Sequence, residues 1–166
     1  MLLAGLCMSG SVHAQDWTRP EVPLSLQYVE VGGDSWSQVK WQIWHSGVRG
    51  RDGRAWPALT VFSPGLTCRN DFLEARPQLS MSLPRRSRGS QWAPSVAFKF
   101  WQLRSVLRRH EFGHVRIYRA GVPSCLRKMP MEPCEDAVQQ FQECMSHVMA
   151  LQAEYEEGEL IRLGSI

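Results

Sequence analysis

Two histidines four residues apart, His110 and His114, with a glutamate directly after the first, carry the clearest chemical signal in this sequence. Four residues turn an α-helix by about 400°, so both imidazoles leave one face and can close on a single metal ion. Glu111 lies about 100° further round, where its carboxylate can serve a water activated by zinc. Zinc lowers the pKa of such a water toward neutrality. Glu111, as general base, takes its proton while the oxygen attacks a polarised carbonyl. The segment His110-Glu111-Phe112-Gly113-His114 therefore predicts a zinc site, and hydrolysis of a peptide or related amide bond. The plainer alternative is a pair of half-buried helix histidines bonded to their neighbours. Gly113 is unfavourable by about 1 kcal/mol in a helix relative to Ala. Close approach of another segment, or of a substrate, would account for it.

Such a site needs a third ligand. The longer metzincin pattern places Gly and His after the second His, but Ile117 and Ala120 stand there, which excludes that class. The ligand must come from elsewhere, most simply the last helix, where His147 and Glu156 compete. With Phe141 at zero, His147 falls at about 240° and Glu156 at about 60°. His147 thus shares the polar side with Asp136, Glu143 and Glu154, whereas Glu156 sits at the margin of the apolar stripe beside Tyr155. The expectation is that His110, His114 and Glu156 bind zinc and that His147 is solvated.

The elements that must position these residues follow from periodicity. Residues 26–31 alternate apolar and polar and predict a strand, ended by Gly32-Gly33. Asp34 or Ser35 can cap a helix over residues 36–44. The Gly- and Arg-rich residues 47–53 predict a loop, residues 58–62 a second strand, and residues 68–84 one or two more, clearest at 78–83. Residues 85–91 are basic and predict an exposed loop. From Pro94 to about Ala120, apolar residues recur at helical spacing (Val96, Phe100, Leu103, Val106, Leu107, Val115, Ile117, Tyr118), with Gly121-Val122-Pro123 as the stop. A last helix over residues 135–156 carries Val138, Phe141, Met145, Val148, Gln152 and Tyr155 along one stripe. The expected architecture is an α+β, small zincin-like domain: a few antiparallel strands, then a long active-site helix and a C-terminal helix.

Composition narrows the function classes. The chain has 166 residues, 43% apolar and 21% charged, which fits one globular domain. A net charge of +3, from 19 basic and 16 acidic residues, is too mild to indicate nucleic acid or an anionic membrane surface as partner. The expected partner is a peptide or amide-containing substrate. Seven tryptophans are many for this length. Aromatic core packing is the expectation, and a Trp-lined substrate groove the alternative.

Residues 1–14 resemble a cleaved signal peptide, with a short apolar run followed by Val12-His13-Ala14. A charged leading region is missing, and the run is too short to span a membrane. Cys7 invites a lipid anchor, but Leu6 precedes it where a small residue is expected. Residues 15–166 are then the mature single domain, with no stable membrane insertion, located in the periplasm or secreted. Four cysteines remain, Cys68, Cys125, Cys134 and Cys144, and an even count in an oxidising compartment favours disulfides. Cys125 and Cys134 bracket a Pro-containing loop and could close it, leaving Cys68 with Cys144. Three connectivities are open.

The order of motifs resembles the bacterial family called domain of unknown function 922, described as predicted secreted zinc-dependent proteases. The matching segments are Tyr28-Val29-Glu30-Val31-Gly32-Gly33, then Gly47-Val48-Arg49-Gly50, Cys68-Arg69, and the strand ending Leu79-Ser80-Met81-Ser82-Leu83-Pro84. Trp101 then leads into Leu107-Arg108-Arg109-His110-Glu111-Phe112-Gly113-His114, and Cys134 opens a helix ending in Tyr155. The resemblance implies a zincin-type metallopeptidase. It also exposes a departure. The family's final helix carries a Tyr-Asp and then a His, whereas here Glu156 matches the Asp and Ile161 stands where the His would be. Either Glu156 supplies the third ligand, or the protein is a non-catalytic zinc-binding or interaction domain with a degenerate site.

Overall fold

The computed structural model describes residues 21–45, 47–50, 53–129 and 133–163, with side chains up to residue 159; the expected signal peptide at residues 1–14 lies outside them. In chain order the elements are β1 (Leu24–Val31), α1 (Trp36–His45), β2 (Val48–Arg49), β3 (Ala55–Trp56) and β4 (Leu59–Ser63). Then come β5 (Leu66–Arg69), β6 (Phe72–Ala75), β7 (Gln78–Arg86), α2 (Pro94–Lys128) and α3 (Cys134–Leu163). The strands precede the two long helices, so the class is α+β.

The main sheet has the order β1-β7-β4. β4 runs antiparallel to β7, with Thr60 opposite Met81, and the small ribbons β2-β3 and β5-β6 are antiparallel too. β1 differs, lying parallel to β7 with Leu24 opposite Leu79 and Val31 opposite Arg86. A parallel neighbour needs a long crossover, and residues 32–77 supply it, carrying α1 and five of the strands. The exposed loop expected from residue 85 begins two residues later, because Arg85 and Arg86 extend β7 as partners of Glu30 and Val31.

The strand expected over residues 26–31 lies within β1, where Leu26 and Tyr28 are exposed. The Tyr28 ring is flanked by Arg85 and Arg104, 5.5 and 5.9 Å from its centroid. Tryptophan corrects the composition argument. Trp92 is buried, but Trp41, Trp44, Trp56 and Trp101 are exposed, so core packing is not their common role.

The main core lies between the sheet and the two long helices. Ala58, Leu79, Met81 and Leu83 face Leu107, Val115, Tyr118, Val122, Phe141, Met145 and Val148. A second cluster packs α1 against the start of α2 through Val39, Ile43, Val96 and Phe100. A third joins the β5-β6 ribbon to the start of α3.

The helix α2 does not stop at Gly121-Val122-Pro123 but continues to Lys128. An interior Pro costs about 3 kcal/mol or more in lost hydrogen bonding and clash. Here Val122, Cys125 and Leu126 are buried in the extra turns, which offsets that cost. Gly121 acts as a packing residue, since a Cβ there would press on Val148 of α3. The disulfides are Cys68–Cys134, tying the β5-β6 ribbon to α3, and Cys125–Cys144, tying α2 to α3. The loop closure considered for Cys125 and Cys134 is not made. The added turns of α2 carry Cys125 onto the flank of α3 instead.

Candidate metal centre

α2 and α3 form an antiparallel pair. Contacts descend α3 as they climb α2: His110 with Tyr155, His114 with Gln152, Gly121 with Val148, and Cys125 with Cys144. This register brings Glu156 to the histidines. One of its oxygens, Oε2, lies 3.1 Å from His110 Nε2 and 3.0 Å from His114 Nε2, and the two Nε2 atoms are 3.1 Å apart. The three groups form a cluster able to hold a metal ion. His147 is exposed on the opposite side of α3 with Asp136, Glu143 and Glu154, and takes no part in the cluster. Ile161 lies on α3 beyond the described side chains.

Gln152 decides what the cluster is for. Its amide nitrogen donates to the His114 carbonyl at 3.1 Å, so the oxygen facing His114 Nδ1 is an acceptor, and Nδ1 must carry the proton that it receives. His114 Nε2 is then left facing a carboxylate oxygen and the second Nε2. Acceptors held this close need a cation or a proton between them. A tetrahedral ion with bonds of 2.0–2.1 Å sets neighbouring donors roughly 3.3 Å apart, close to the spacing of this triangle. The donor set of two imidazoles and one carboxylate suits zinc. His110 Nδ1 is buried without a hydrogen-bond partner.

Tyr155 holds the other histidine. Its hydroxyl donates to the His110 carbonyl at 3.1 Å, and its ring stacks on the His110 ring at 5.5 Å. Burial and the carboxylate of Glu159 push the Tyr155 phenol above its ordinary pKa, so it stays a donor. A Cβ on Gly113 would overlap this phenol, which identifies the segment that approaches the helix there.

Glu111 is buried, 4% exposed, and stands outside the three-donor cluster. Its Oε2 accepts a hydrogen bond from the Thr60 hydroxyl of β4 at 2.7 Å. Burial pushes its carboxyl above the ordinary carboxylate range, opposed by the Thr60 hydrogen bond and by the two imidazoles. Among the described residues Oε1 accepts no hydrogen bond. The arrangement thus offers a site for a cation and, beside it, a carboxylate with one oxygen held and one free.

The residues expected at the site, His110, Glu111, His114 and Glu156, come together. Three others were not singled out from sequence. Gln152 and Tyr155 had been counted into the apolar stripe, although an amide in a stripe facing two histidines is itself a signal. Thr60 is the polar residue between Ala58 and Phe62 on the strand.

A family model described as bacterial protein of unknown function (DUF922) matches residues 26–158. No curated protein and no solved structure matches the chain.

Proposed function

The chain belongs to the DUF922 family of bacterial proteins, and from that premise we propose that it is an exported zinc-dependent hydrolase of peptide or related amide bonds. The observation that carries the reading is the convergence of three donor atoms, from His110, His114 and Glu156, on one point. With His114 Nδ1 committed to Gln152, Nε2 is the ring nitrogen that converges with His110 Nε2 and Glu156 Oε2. A zinc ion bound there would supply Lewis acidity and lower the pKa of a water toward neutrality.

The chain's own residues then have separate tasks. His110, His114 and Glu156 bind. Gln152 and Tyr155 hold the two histidines through their backbone carbonyls and rings, so the ligands arrive already oriented. Glu111 receives a proton at Oε1 and returns it to the leaving nitrogen. Its burial keeps it a stronger base than an exposed carboxylate.

Export is supported by the two disulfides, which form and persist in oxidising compartments. No helix of the described residues is long and apolar enough to cross a membrane. The test is amide hydrolysis by the zinc-loaded full chain, scored on a library of fluorogenic peptides beside Glu111→Gln. The reading expects activity lost in the variant while zinc is retained. Zinc retained by both with hydrolysis by neither would move the protein to the non-catalytic ion-binding reading.

A further inference from the structure

We propose that Thr60 is the positioning residue of Glu111, fixing which carboxylate oxygen is offered to the reaction; this rests on the reading of Glu111 as general base. Just before β4, Ala58 is buried; on the strand, Phe62 stacks on Tyr118 of α2 at 4.9 Å, and Thr60 between them reaches Glu111 of the same helix. This face of the strand packs on α2, and Val would fill position 60 with the same shape. The hydroxyl is the one difference that Thr brings, and it lies 2.7 Å from Oε2 of a carboxylate that is 4% exposed.

A buried carboxylate with no fixed donor can rotate about its last torsion, which is broad for Glu. Here the hydroxyl pins Oε2 toward the sheet, so Oε1 is the oxygen left free. Among the described residues the Thr60 hydroxyl donates to Glu111 and to none of the three candidate ligands, so its hydrogen bonding acts through Glu111. β4 is an end strand of the main sheet, held on one side by β7 through Thr60 opposite Met81, so the donor sits on a fixed backbone.

The experiment uses the zinc-loaded full chain and acetohydroxamic acid, a probe that gives its proton to a neighbouring base as it chelates zinc. Zinc affinity and acetohydroxamate affinity are measured by calorimetry for wild type, Thr60→Val, Thr60→Ala, Thr60→Ser and Glu111→Gln. Thr60→Val and Thr60→Ala should hold zinc as wild type does and bind the probe about tenfold more weakly, approaching Glu111→Gln, while Thr60→Ser restores binding. Agreement between Val and Ala separates loss of the hydroxyl from a packing fault. Where a peptide substrate is in hand, the loss should fall on kcat and not on KM. Wild-type probe affinity in Thr60→Val and Thr60→Ala, with Glu111→Gln impaired, overturns the proposal. Wild-type affinity in Glu111→Gln overturns the general-base reading and this proposal with it, as does a chain that takes up no zinc.

Discussion

A histidine binds a metal well only if its proton is kept on the other ring nitrogen and its ring is held in place. In this protein one glutamine does both for His114, by accepting from Nδ1 and donating to the same residue's carbonyl. Gln152→Leu keeps the volume and removes both bonds, so zinc affinity should fall by about 10–100-fold, read by competition with a chromogenic chelator. An unchanged affinity would mean that the tautomer is set some other way. Gly113 makes the complementary case. Ala at 113 must displace the Tyr155 phenol, so Gly113→Ala should destabilise the protein by about 1–3 kcal/mol in denaturant unfolding. Adding Tyr155→Ala to that variant should cost much less than Tyr155→Ala alone, because the clash has gone. Simple additivity would place the phenol elsewhere in solution.

At the scale of elements, the site is a product of the phase and register of two helices. The phase of α3 was legible, since a stripe through Phe141, Val148 and Gln152 fixes the buried direction, and regular helix continues past Gln152 to keep Glu156 near it. Glu156→Ala should therefore weaken zinc binding at least about tenfold, and His147→Ala should leave it unchanged. The reverse result in a calorimetric titration would show that the phase is wrong. The end of α2 was not legible. Gly-x-Pro is a strong local stop, and only burial of Val122, Cys125 and Leu126, which sequence does not display, carries the helix through it. The disulfide pairing was hidden for the same reason, since Cys125 meets Cys144 only once α2 has those extra turns. The strand β1 was legible, but its parallel pairing was not, because alternation reports an extended chain but not which neighbour it takes or in which direction. The exposed Trp41, Trp44, Trp56 and Trp101 show the limit of composition, which counts aromatic residues without placing them.

For the whole molecule, the covalent links join the parts that the site depends on. Cys68–Cys134 closes 66 residues of chain and Cys125–Cys144 closes 19, worth about 4 and 3 kcal/mol by loop-closure entropy. Together they rival the whole stability of a typical domain, about 5–15 kcal/mol. The reduced protein should therefore melt far below the oxidised one in a circular-dichroism scan, and zinc should recover part of the loss by binding the folded state alone. Equal melting with and without reductant would argue that neither disulfide forms. The central claim, that α2 and α3 together build one cation site from His110, His114 and Glu156, is tested most directly by elemental analysis of zinc-loaded, desalted protein. Wild type should carry about one zinc per chain, and His110→Ala, folded by circular dichroism, should carry none. A wild-type chain free of zinc, or a His110→Ala chain that keeps it, would contradict the account.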